Sequence, residues 1–119
     1  MCIATVLLFA AALMAADPVV EKAKKDVAAK NYDSAITALE GAYKKNPKSA
    51  ELKTALVDAL MAKGDSFMND PSAPPRVKYP TALRSYRQVL QYDKTNKKAQ
   101  DNVATIEGIY KSMGRPVPQ

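Results

Sequence analysis

The sequence predicts an all-α domain built from two helix hairpins and one closing helix. Three observations lead there. Apolar residues recur at the three-and-four spacing of a single helix face, as in Ala35, Ile36, Leu39, Ala42 and Tyr43. The composition favours helix over sheet, with abundant Ala, Leu and Lys against 4 Gly, 2 Phe and no Trp. The stretch Tyr79 to Lys94 also repeats the pattern of Tyr32 to Pro47. Each has Tyr, then Ala-Ile or Ala-Leu three residues on, a large residue four after the Ala (Leu39, Tyr86), and an apolar pair three further (Ala42-Tyr43, Val89-Leu90). At 119 residues, 47% of them hydrophobic and 25% charged, the chain has room for one small core.

The first sixteen residues stand apart. Cys2 to Ala16 carries no charge, and Asp17-Pro18 then switches abruptly to an amphipathic pattern. The apolar run is short for a membrane span of about 20 residues, and Leu13-Met14-Ala15-Ala16 offers small residues for cleavage after Ala15 or Ala16. Residues 1–16 are therefore expected to be an export signal peptide, cleaved to leave a periplasmic or cell-envelope protein. The run lacks the Lys or Arg that normally precedes such a segment. Retention would make it a membrane anchor, so membrane contact is expected only through an uncleaved N-terminus. The lone cysteine, Cys2, falls inside this segment, and the mature chain would have no thiol.

After the signal, the domain is expected over residues 17–114. Asp17 reads as an N-cap with Pro18 at the first helical position, opening a helix that runs to about Lys30. A second helix starts at Asn31 or Asp33 and ends at Asn46-Pro47. A third begins between Pro47 and Ser49, places Leu52, Leu56, Ala59 and Leu60 on one side, and ends at or just past Gly64. Residues 66–78 are expected to form an inserted Pro-rich loop, because Pro71, Pro74 and Pro75 remove donors and clash with preceding carbonyls. Tyr79 to Lys94 supplies the fourth helix. Lys97 to Met113 supplies the fifth, ended by Gly114 and Pro116. Residues 115–119 are expected to be a flexible tail.

The spacing of equivalent positions is 47 residues, as from Ala35 to Ala82 or Tyr32 to Tyr79, and removing the thirteen residues Ser66 to Lys78 leaves 34. That is the tetratricopeptide period. The chain resembles the tetratricopeptide repeat (TPR) family through Tyr32, Ala35-Ile36, Leu39, Ala42-Tyr43 and Pro47, and again through Tyr79, Ala82-Leu83, Tyr86 and Val89-Leu90. Between them, Leu56-Val57, Leu60 and Ala62-Lys63-Gly64-Asp65 match the end of the family's first helix and its turn. The resemblance implies a TPR-like α-solenoid of two hairpins plus a C-terminal capping helix that opens a third repeat and finds no partner.

In such proteins the first helix of each repeat lines a groove that holds an extended peptide or a partner's helix. Carried over by position, the groove is expected to use Val20, Lys24 and Val27, then Thr54, Asp58 and Met61, then Lys98, Asp101, Asn102 and Thr105. Only Lys98 and Asn102 fit the clamp with which one subclass grips a C-terminal carboxylate. A second candidate surface is the stiff, basic insertion, with Pro74, Pro75, Arg76 and Lys78.

Catalysis is not expected. The chain has no His and no Cys after residue 2, so it lacks the commonest general base, the thiolate nucleophile and the best transition-metal ligands. Glu51, Asp58, Asp65 and Asp70 show no paired spacing, Gly64 is a helix-turn residue and not part of a phosphate loop, and no cofactor or metal site is expected. The net charge of +6 lies wholly at or after Asp17. Its lysines gather around helix ends, which serves solubility and helix C-termini. Nucleic acid is not expected, since Tyr32, Tyr43, Tyr79 and Tyr86 hold packing positions and are not free to stack on bases. The expected function is an exported TPR-like protein–protein interaction module, an adaptor or accessory subunit of a multi-subunit cell-envelope assembly. The alternative is a basic binding protein for anionic envelope polymers or lipids.

Overall fold

The computed structural model describes residues 17–119; the export segment expected over 1–16 lies outside the described residues. Five helices follow one another: α1 Pro18–Ala28, α2 Tyr32–Lys45, α3 Ala50–Met68, α4 Pro75–Tyr92 and α5 Lys97–Ser112. The described residues contain no strand. The all-α class and its TPR-like solenoid arrangement are as the sequence predicts.

Local chemistry fixes the ends. The Asp17 carboxylate accepts the Val19 N–H at 2.9 Å, Ser49 Oγ accepts the Leu52 N–H at 3.2 Å, and Asn96 Oδ1 accepts the Ala99 N–H at 3.0 Å, so α1, α3 and α5 each begin on a side-chain cap. The chain leaves α1 through Lys30, whose left-handed φ of 64° brings the Asn31 N–H back to the Asp26 carbonyl at 2.7 Å.

Each hairpin packs on the next. Val20 and Ala23 of α1, Ile36 and Leu39 of α2, and Leu52, Leu56 and Leu60 of α3 share one buried cluster, which Val89 and Ala99 join from α4 and α5. Ala82, Leu83 and Tyr86 of α4 form a second with Ile106 and Tyr110 of α5. Met61 touches both, so the two clusters meet at the middle of α3.

The expected loop over 66–78 is corrected. The connection is Asn69–Pro74 alone; α3 runs on to Met68 and α4 starts at Pro75. Ser66 to Met68 and Arg76 to Lys78 contain no helix breaker. Pro75 sits at the first helical position, where its missing N–H has no partner to lose, and Pro74 precedes it in an extended conformation. Pro75, Arg76 and Lys78 are therefore helical residues, and the insertion is taken up by lengthening: α3 has 19 residues against 11 in α1, and α4 has 18 against 14 in α2. Pro80 lies inside α4 and forfeits one backbone bond, to the carbonyl of Arg76.

The tail is corrected as well. Residues 115–119 lie against α4: Val117 packs on the second cluster, and Arg87 Nη1 donates to the Pro118 carbonyl at 2.7 Å. A guanidinium held beside a folded-back carbonyl is a local tether that sequence spacing does not reveal.

Candidate functional site

Where α1 runs beside α3, small residues set the floor. Ala23 and Ala59 are buried and Ala55 is half-buried, so the two helices leave a trough between them. One part, about 140 Å³, is lined by Ala23, Lys24, Val27, Leu39, Ala55, Asp58 and Ala59. It continues into a second part of about 340 Å³ beside Val20, Lys24, Glu51, Thr54 and Asp58. Lys24 on α1 and Asp58 on α3 line both parts, giving the trough one charge of each sign. Lys24 contacts Glu21 at 3.6 Å across open solvent, a pairing weak enough to yield to a ligand. Asp58 is exposed and makes no ion pair among the described residues.

Of the ten groove positions, Lys24, Val27, Thr54 and Asp58 come together here. Val20 does not offer a side chain to a ligand, being 2% exposed and part of the core under the trough. Met61 is committed to the junction of the two clusters. The α5 positions lie elsewhere. Lys98 Nζ donates to Asp65 Oδ2 at 2.9 Å, Asp101 pairs with Lys97 at 2.7 Å, and Thr105 Oγ1 donates to the Asp101 carbonyl. Asp65 is seven residues past Asp58, roughly 10 Å further along α3 at 1.5 Å per residue. A constant repeat spacing would set Thr105 beside Asp58. The lengthened α3 instead receives α5 near its C-terminal third, so the trough is an α1–α3 feature and Lys98 is engaged away from it.

Two features escaped the sequence. Tyr86 Oη donates to Asp65 Oδ1 at 2.6 Å, which makes Asp65 the centre of a Tyr86–Asp65–Lys98 chain linking α4, α3 and α5. Burial and then the Asp65 carboxylate push the Tyr86 hydroxyl far above the usual tyrosine range. The other is a wide cleft of about 660 Å³ between the α1–α2 turn and the lengthened hairpin, where Lys63 Nζ reaches Asp33 at 2.7 Å. Among the described residues no three His, Cys, Asp or Glu converge on a point. In the connection, Asp70 accepts the Ser72 hydroxyl at 2.6 Å and its N–H at 2.9 Å, and these bonds hold its carboxyl below the usual range.

Comparison with protein-family models matches residues 26–66 to the tetratricopeptide repeat, a span that takes in the end of α1, all of α2 and most of α3. Over residues 26–66 the chain carries a tetratricopeptide repeat. Comparison with curated proteins gives no match, and comparison with solved structures gives none. Tetratricopeptide repeats are generally non-catalytic modules that bind protein or peptide partners. The α1–α3 trough lies between the first helices of two successive hairpins, with Val27 and the α3 residues inside the matched span and Val20, Ala23 and Lys24 before it.

Proposed function

We propose that this chain is an exported tetratricopeptide adaptor that seats a peptide segment of a partner in the α1–α3 trough, as an accessory subunit of a cell-envelope assembly. The observation that carries the reading is the trough itself. An alanine floor admits a close backbone, and Lys24 and Asp58 offer one cation and one anion to an extended segment with both charges. Thr54 adds an exposed hydroxyl beside them. Residues 1–16, apolar and uncharged after the initiating amine, supply the export step.

The test is photo-crosslinking in intact cells from a reactive residue placed at Thr54, followed by mass spectrometry and by N-terminal sequencing of the chain. One recurring protein partner is expected from Thr54 and lost in Asp58→Arg. Equal crosslinking from Thr54 and from the distant Arg76 would refute a trough-borne interface. An unprocessed chain in the cytosol would refute export.

A further inference from the structure

The molecule has a second surface, independent of the trough, at the end of the solenoid where α2 turns into α3 and α4 turns into α5. Tyr43 near the end of α2 and Tyr92 at the end of α4 meet edge to face, with ring centroids 5.6 Å apart, so these two turns lie side by side. Lys44, Lys45, Lys48 and Lys53 surround the first turn, and Lys94 sits on the second. All five are exposed, and none forms an ion pair among the described residues.

Helix electrostatics account for only part of this gathering. Lys44 and Lys45 complement the C-terminus of α2, but Lys48 and Lys53 stand at the N-terminus of α3, where the helix dipole disfavours a cation. Of the nearby carboxylates, Glu40 lies close to Tyr92 without an ion pair among the described residues, and the others have partners. Glu51 accepts the Asp17 N–H at 3.0 Å, Asp93 accepts the Thr95 hydroxyl at 3.3 Å, and Asp101 holds Lys97.

The bond from Asp17 to Glu51 supplies the second observation. It fixes the start of α1 at the first turn of α3, so the uncharged apolar run of residues 2–16 joins the fold at the lysine-bearing end. An apolar segment together with a basic patch is the pairing that holds a protein on an anionic bilayer, since either alone binds only marginally. We infer that this end is a contact surface for an anionic lipid bilayer, used by the chain while it still carries residues 1–16.

The full chain is tested by flotation with phosphatidylcholine vesicles, with and without phosphatidylglycerol. A variant with Lys44, Lys45, Lys48, Lys53 and Lys94 all changed to Gln is compared with one carrying Arg76→Gln, Lys78→Gln and Arg115→Gln at the other end. Thermal melting confirms that both fold, and the milder pair Lys53→Gln with Lys94→Gln gives a graded point. Adding phosphatidylglycerol should raise binding by about tenfold or more, an effect that salt reverses and the five-lysine variant lacks. Equal binding by wild type and the five-lysine variant would overturn the inference. So would an equal loss in the opposite-end variant, or binding to soluble polyglutamate without binding to vesicles, which would point to an acidic protein instead. None of these outcomes bears on crosslinking from Thr54.

Discussion

The Tyr86 ring of α4 lies against Gly64 of α3, so close that a Cβ on Gly64 would sit 2.6 Å from Cε1 and 2.8 Å from Cζ. Gly64 is buried, and Tyr86 is 1% exposed with its hydroxyl held by Asp65, so the ring has nowhere to move. Gly64→Ala should therefore destabilise the protein by about 1–3 kcal/mol, overriding the ~1 kcal/mol that Ala normally gains over Gly in a helix. Urea denaturation checks this, and Tyr86→Leu in the same chain should recover part of the loss. Wild-type stability in Gly64→Ala would show that the ring can shift.

Tyr86→Phe should lose about 1 kcal/mol at neutral pH, since it deletes one hydrogen bond and leaves Asp65 its second partner, Lys98. The sign with pH is also fixed. The folded state raises the tyrosine's pKa, so its contribution is complete below about pH 10, where an unfolded tyrosine ionises, and is lost as pH rises further. Wild type should weaken above that pH more steeply than Tyr86→Phe. Tyr92, raised mainly by burial, keeps some slope in both. Identical alkaline slopes in the two proteins would contradict the assignment to Tyr86.

Removing residues 115–119 should lower stability by about 1–2 kcal/mol, because the deletion uncovers the cluster under Val117 and leaves Arg87 without the Pro118 carbonyl. Arg87→Met should lose a similar amount, and the two changes together less than their sum, since they share one contact. Fully additive losses would place the tail's contribution elsewhere.

The trough residues should behave differently. Lys24→Glu and Asp58→Arg change exposed side chains away from the core, so melting temperatures should stay within the spread of surface substitutions, about ±0.5 kcal/mol, while partner recovery falls. A drop in stability matching the drop in recovery would mean that these side chains support the fold rather than a partner.

The hairpins were legible in the sequence because helical periodicity and the 47-residue spacing do not depend on how helices cross. Ala35, Leu39, Ala82 and Tyr86 are all buried as the pattern required. The insertion misled in two ways. Its prolines suggested a thirteen-residue loop, although Pro75 proved compatible with a helix start. Its helical lengthening then moved the meeting of α3 and α5 from Asp58 to Asp65, which no count of residues in the repeats could show. The four α5 positions, Lys98, Asp101, Asn102 and Thr105, therefore lie apart from the α1–α3 trough. Gly64 was read as a turn residue because its role depends on a ring that arrives from twenty-two positions away.

Pro80 divides α4 into unequal parts. Five residues precede it and twelve follow, and every buried residue of the helix lies on the later side. The segment from Asn69 to Lys78 can therefore open and close without disturbing either cluster's buried residues, as a small cooperative unit within a larger one. Its amides should exchange with solvent well ahead of those from Ala82 onward, and a protease or a spliced-in sequence would meet least resistance there.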